Sequence, residues 1–182
     1  MSYTRYCREE TKERKIVRYH LKERFLTIKD DFVVRNDRDE VVYEVKGSFL
    51  RVGDYLRIYD YQSREEVFSI KEKVFSYQKQ YMFYRNGAEI ATMRKRDEPD
   101  FVNNYFEVSC SSGVVLQLHG DFQAWDFEII DQYRQIYGHI SREFAFFGDQ
   151  YTVDVPDHID APFTLAIAVV LDEMREDGVK TK

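Results

Sequence analysis

Four basic side chains stand at spacings that strands could gather into one site: Lys71 and Lys73, then Arg94 and Arg96. Alternate residues of a strand face the same side. If the apolar Phe68 and Ile70 turn inward, Lys71 and Lys73 turn outward. If Ala91 and Met93 turn inward, Arg94 and Arg96 turn outward. Only the strand pattern at 81–85 separates the two pairs, so they can share one outer patch. Such a patch binds phosphate oxygens, arginine in a bidentate fork and lysine as a point charge. The plainer use of these residues is to coat strands against edge pairing. With 33% of the chain charged, the plainer use is the favoured reading.

Other chemistry is sparse. The four histidines, His20, His119, His139 and His158, show no HxH or HExxH spacing, so no metal site is expected. Cys110 has no CxxC partner and reads as a plain strand residue. No GxGxxG, GKS/T or GxSxG motif occurs, so no catalytic residues are assigned and no cofactor is expected. The acidic turns Asp30-Asp31 and Asp37-Arg38-Asp39-Glu40 carry oxygen ligands that calcium could use, but they lack the twelve-residue loop pattern and read as solvated turns. Asp126 and Glu128 flank Phe127 as an outward strand face. A second candidate surface is an apolar rim of Leu26, Ile28, Leu50, Val52, Phe146 and Phe147 at one end of the fold, expected to plug that end.

These residues must be held by strands, and the strands repeat. Leu21, Phe25, Asp30, Phe32 and Val34 set a register that returns as Val45, Phe49, Asp54, Leu56 and Ile58. It returns again as Ile70, Val74, Lys79, Tyr81 and Phe83, and as Ile140, Phe144, Asp149, Tyr151 and Val153. Leu118, Phe122, Phe127 and Ile129 fit with a loop shortened by two; Phe106 and Val108 belong to a degenerate copy anchored at Pro99. Anchors at 25, 49, 74, 99, 122 and 144 mark six copies of a two-strand unit. The repeated Asp can accept loop amide hydrogen bonds in an Asx turn. Turns are expected at Asn36–Asp39, Asp60–Arg64, Asn86-Gly87, Ser111–Gly113 and Asp131–Gln135. About twelve antiparallel strands in one sheet would close, since an open sheet of that size leaves costly edges.

The pattern changes once, near the C-terminus. Asp160 can cap a helix with Pro162 in its first turn. Phe163, Leu165, Ala166, Ile167, Ala168, Val169, Val170 and Leu171 then make it apolar on every side, and Gly178 is the expected stop. Too short to span a membrane, such a helix belongs inside protein. A barrel of about twelve strands is too wide for facing side chains to fill, and one helix about 10 Å across suits the space. Burying the eight apolar residues is worth on the order of 15 kcal/mol gross, before entropy.

The bulk numbers fit one globular domain: 182 residues, 43% hydrophobic, 16% aromatic. A charged N-terminal extension is expected at 1–14, a single domain at 15–178 with a central helix at about 161–176, and a tail at 179–182. The net charge of −6 disfavours a general nucleic-acid role. Two cysteines, Cys7 and Cys110, in unsuitable places for a disulfide, and a charged N-terminus without a signal-peptide pattern, point to the cytoplasm.

The stretch FLRVGDYLRIYDYQSREEVFSI, Phe49 to Ile70, resembles the bacterial branch of the LURP-one-related proteins in the tubby C-terminal-like superfamily. EVKGSF, GAEIATMRKR, DQYTVDV and TLAIAVVLDEM carry the same resemblance in the same order, over about 19–175. The resemblance implies a twelve-stranded closed barrel around a hydrophobic C-terminal helix. Tubby-type relatives bind phosphoinositide head groups; phospholipid scramblases are distant relatives, and plant members are linked to defence. The chain lacks the palmitoylated cysteine cluster and membrane tail of scramblases. The expected role is a non-enzymatic binding module, for anionic phospholipid head groups or a protein partner, cytoplasmic or peripheral at a membrane. The alternative is a scaffold or stress-response interaction protein without a small ligand; an enzyme hidden in the barrel ranks last.

Overall fold

A computed structural model describes residues 15–22, 32–47, 55–100, 104–121, 124–143 and 150–179. Twelve strands precede one helix: β1 (Ile16–Lys22), β2 (Phe32–Asn36), β3 (Val41–Gly47), β4 (Tyr55–Asp60), β5 (Glu66–Glu72), β6 (Gln80–Arg85), β7 (Ala88–Asp100), β8 (Asn104–Cys110), β9 (Val115–Asp121), β10 (Asp126–Asp131), β11 (Ile136–Glu143), β12 (Gln150–Pro156) and α1 (Ala161–Val179). Each strand pairs antiparallel with its neighbours in sequence, and β1 closes the barrel on β12. Closure satisfies every ladder and leaves no edge to template aggregation.

The repeat is a pairing rule. Leu21 lies opposite Val34, Val45 opposite Ile58, Ile70 opposite Phe83 and Ile140 opposite Val153, the same offset in each unit. Leu118 opposite Ile129 shortens that offset by two residues, as the shorter loop requires. All ten of these side chains are buried. The alternation therefore points one stripe of each strand at the barrel axis and the other at solvent. Asn86 and Gly87 both take positive φ, 51° and 77°, the mirror-image turn that matches strand twist. Elsewhere Asn36, Asp60 and Asp131 use their side-chain oxygens to accept two backbone amides each. These three are Asx turns; Asp30, Asp54 and Asp149 lie outside the described residues.

Helix α1 fills the interior. Every residue from Phe163 to Asp172 is buried, including Thr164 at 0% exposure and Asp172 at 4%. Phe163 stacks on Phe68 and meets Phe83 edge-on, at 5.7 and 5.8 Å between centroids. Thr164 hides its hydroxyl by donating to the Tyr137 carbonyl at 3.2 Å and the Asp160 carbonyl at 3.3 Å. The Asp160 carboxylate bonds the Arg85 guanidinium, and it is the Asp160 carbonyl that takes the Thr164 amide at 3.2 Å. The helix runs through the expected stop at Gly178 and ends at Val179. Among the described residues no helix is long and apolar enough to cross a membrane.

Candidate functional site

The axis of the barrel is occupied by the buried stretch of α1, Phe163 to Asp172. A cavity between Leu21, Trp125, Ile140, Tyr151, Ala168 and Asp172 holds about 10 Å³, space for one water at most. Trp125 meets Phe127 and Tyr151 edge-on at 5.4 and 5.3 Å and caps this region with rings.

The basic residues sit on the outside in register. Phe68, Ile70, Ala91 and Met93 are buried, so Lys71 and Arg94 face outward. Lys71 lies opposite Met82, and Met82 opposite Thr92. One row on, the Lys73 amide donates to the Gln80 carbonyl at 2.8 Å, and Gln80 lies opposite Arg94. Lys71, Lys73 and Arg94 thus share a surface spanning three adjacent strands. Arg96 follows Arg94 past the last regular pair of β7 with β8, Lys95 with Phe106. Its charge is felt at His119. Burial, the largest cause, lowers the His119 pKa; Glu128 opposes it, and the charges of Arg134 and Arg96 lower it further.

The patch is partly neutralised. Arg94 Nη2 donates to Glu107 Oε1 at 2.8 Å, and that oxygen also accepts from Ser109 Oγ at 3.3 Å. Lys71 Nζ stands 5.3 Å from the centre of the Tyr84 ring, a cation–π distance. Burial raises the Tyr84 hydroxyl pKa, with the Glu89 charge adding to it. Lys73 is exposed at the end of the ladder. The arrangement offers two lysine charges and a guanidinium that can exchange a carboxylate for a phosphate.

Between Lys73 and Gln80 lies a feature that the repeat concealed. Val74 occupies an anchor position, yet its side chain is on the surface. Phe75 and Tyr77 are fully exposed, at 103% and 104%. Lys79 stands at the far foot of this loop, its Nζ 5.4 Å from the centre of the Tyr81 ring. The readable signal was in the run KVFSYQK: aromatics interleaved with polar residues between lysines, too long for a tight hairpin.

The remaining candidates are dispersed. His20 contacts Asp37 at 3.3 Å, His139 contacts Asp126 at 2.6 Å, and His158 lies 3.7 Å from Asp157. Among the described residues no three metal-binding side chains cluster. Cys110 ends β8, where burial pushes its thiol pKa up and away from the reactive thiolate. Asp126 and Glu128 are exposed on β10. The apolar rim of Leu26, Ile28, Leu50, Val52, Phe146 and Phe147 lies outside the described residues, as do Asp31 and Cys7.

A family model described as LURP-one-related matches residues 17–172. The uncharacterized protein YxjI of Bacillus subtilis (strain 168) is 24% identical over 160 residues, 86% of this chain and 93% of that protein. The X-ray structure of an Arabidopsis thaliana protein superposes with a TM-score of 0.63 at 14% identity, covering 89% of this chain and 93% of that one.

Proposed function

The chain belongs to the LURP-one-related family, and from that premise we propose that it is a non-enzymatic binding module for anionic phospholipid head groups. The site is the outer patch of Lys71, Lys73 and Arg94, with Arg96 at its margin. One observation carries this reading: α1 fills the barrel, while the register sets Lys73, Gln80 and Arg94 abreast on its outer wall, with Lys71 a row behind. With a net charge of −6 the chain as a whole is repelled by an anionic surface, so contact would need a local basic patch such as this one. The protein would then work peripherally on the cytoplasmic face of a membrane.

The Arg94–Glu107 ion pair favours a second reading, in which the basic row only keeps the barrel soluble and the protein acts as a scaffold for a protein partner. Sedimentation with phosphatidylserine vesicles at low and high salt separates the two. Head-group binding predicts association at low salt that weakens steeply as salt screens it. No association at low salt would reject the lipid reading.

A further inference from the structure

We propose that the loop between β5 and β6 is a bilayer anchor: Phe75 and Tyr77 insert into the interfacial layer of an anionic membrane, and the lysines around them hold the head groups. This rests on the head-group reading above and adds the part of the chain that enters the lipid.

The loop is placed for it. The last bond of the β5–β6 ladder joins the Lys73 amide to the Gln80 carbonyl, so residues 74–79 form a loop off that row, beside the part of β7 that runs on past Arg94 to Asp100. Odd-numbered strands all run toward this end, which is also the end toward which α1 travels through the barrel. Lys73 and Lys79 stand at the two feet of the loop and Lys71 one row behind. The basic patch and the exposed rings therefore occupy one corner of the molecule.

Folding does not account for the rings. Phe75 holds φ at 62°, a left-handed conformation that disfavours a bulky side chain and suits Gly or Asn. The strain presents a ring that is wholly in water. Single exposed aromatics are ordinary, but no other described turn exposes two. Tyrosine adds an amphipathic tip suited to the head-group layer.

The surroundings favour a bilayer over a protein pocket. Interface anchors are ringed by apolar contacts that exclude water. Within the loop the neighbours are Ser76, Gln78 and lysines, so its own apolar surface is two rings and Val74. A fluid surface closes around such a point without a shaped cavity. Weak insertion and a basic ring are the two signals that together give stable peripheral binding.

The experiment uses the full chain with phosphatidylcholine vesicles containing about one third phosphatidylserine. Phe75→Asn with Tyr77→Ser should lower partitioning roughly tenfold, with the melting temperature and salt dependence kept, because Asn tolerates the left-handed position. Lys71→Gln with Lys73→Gln should instead flatten the salt dependence. Phe75→Trp should shift its emission to the blue on binding and be quenched by lipids brominated near the head group, with buried Trp125 as the internal reference. Wild-type binding that the loop variant matches, with residue 75 unquenched, overturns the anchor and leaves the head-group reading standing. No wild-type binding at low salt overturns both and assigns the rings to a protein partner.

Discussion

Gly138 of β11 lies so close to Thr164 of α1 that a Cβ added at residue 138 would sit 2.5 Å from the threonine Cγ2. The same Cβ would approach the Asp154 carbonyl at 3.2 Å. The helix packs directly on the wall here, and the Thr164 hydroxyl donates to the Tyr137 carbonyl beside it. Glycine is needed here for the absent side chain, not for its backbone freedom.

Gly138→Ala should therefore destabilise the fold by about 1–3 kcal/mol, the usual cost of overpacking. Thr164→Ser removes the clashing methyl and keeps the hydroxyl, so the double variant should recover part of the loss. Denaturant midpoints for the two single variants and the pair measure the coupling. Independent, additive effects would place the strain elsewhere.

Val169 is 5% exposed in the middle of α1, inside the barrel. Lysine there would bring a charge into the buried apolar core. Val169→Lys should cost more than about 4 kcal/mol and leave little folded protein. Val169→Leu, which keeps the chemistry and adds one carbon, should fold with a modest penalty. A Lys variant melting near wild type would contradict the central position of the helix.

The barrel was legible because its rule is local and repeated. Alternating apolar positions that recur at one offset can only be paired hairpins, and Leu21 opposite Val34 is already the whole pattern. The helix was legible because eight apolar residues on all sides have nowhere else to go. The functional corner was less so. Alternation placed Lys71 and Arg94 outward, but cross-strand partners depend on register two strands away, so the Glu107 pairing of Arg94 was invisible. The register shift after Lys95 in β7 likewise meant that alternation alone did not place Arg96. Val74 fitted the repeat and drew attention from its neighbours, so the exposure of Phe75 and Tyr77 came only with coordinates.

Tyr43 gives the fold an alkaline limit. Burial, then the charges of Tyr19, Asp60 and Asp160, push its hydroxyl pKa up to about 12. An unfolded tyrosine ionises near 10. Because the folded value is the higher one, the neutral hydroxyl's contribution is complete below about pH 10 and is lost as pH rises toward about 12. Tyr43→Phe cannot ionise, so its stability should fall less across that interval. Tyr19, whose ring lies 6.1 Å away, has its pKa raised by burial alone, and its charge in turn raises Tyr43, so Tyr19→Phe should let Tyr43 ionise more easily. Tyrosinate absorbance of wild type and the two variants, followed with pH, reads both effects; superimposable curves apart from one lost tyrosine would remove the coupling.

Glu107 decides how the basic patch is used. Its side chain is 15% exposed beneath an Arg94 that is 51% exposed, and their contact at 2.8 Å competes with any phosphate that Arg94 could bind. An ion pair this open contributes about 0–1 kcal/mol to stability, so removing it should leave folding nearly unchanged. Glu107→Gln keeps the shape, takes away one negative charge and releases the guanidinium. If the patch captures head groups, the variant should bind phosphatidylserine vesicles several-fold more tightly and with a steeper salt dependence than wild type. Arg94→Gln in the same background should erase the gain. If Arg94 serves only to keep the strand soluble, neither change will move vesicle binding, and the lipid role of the row falls with it.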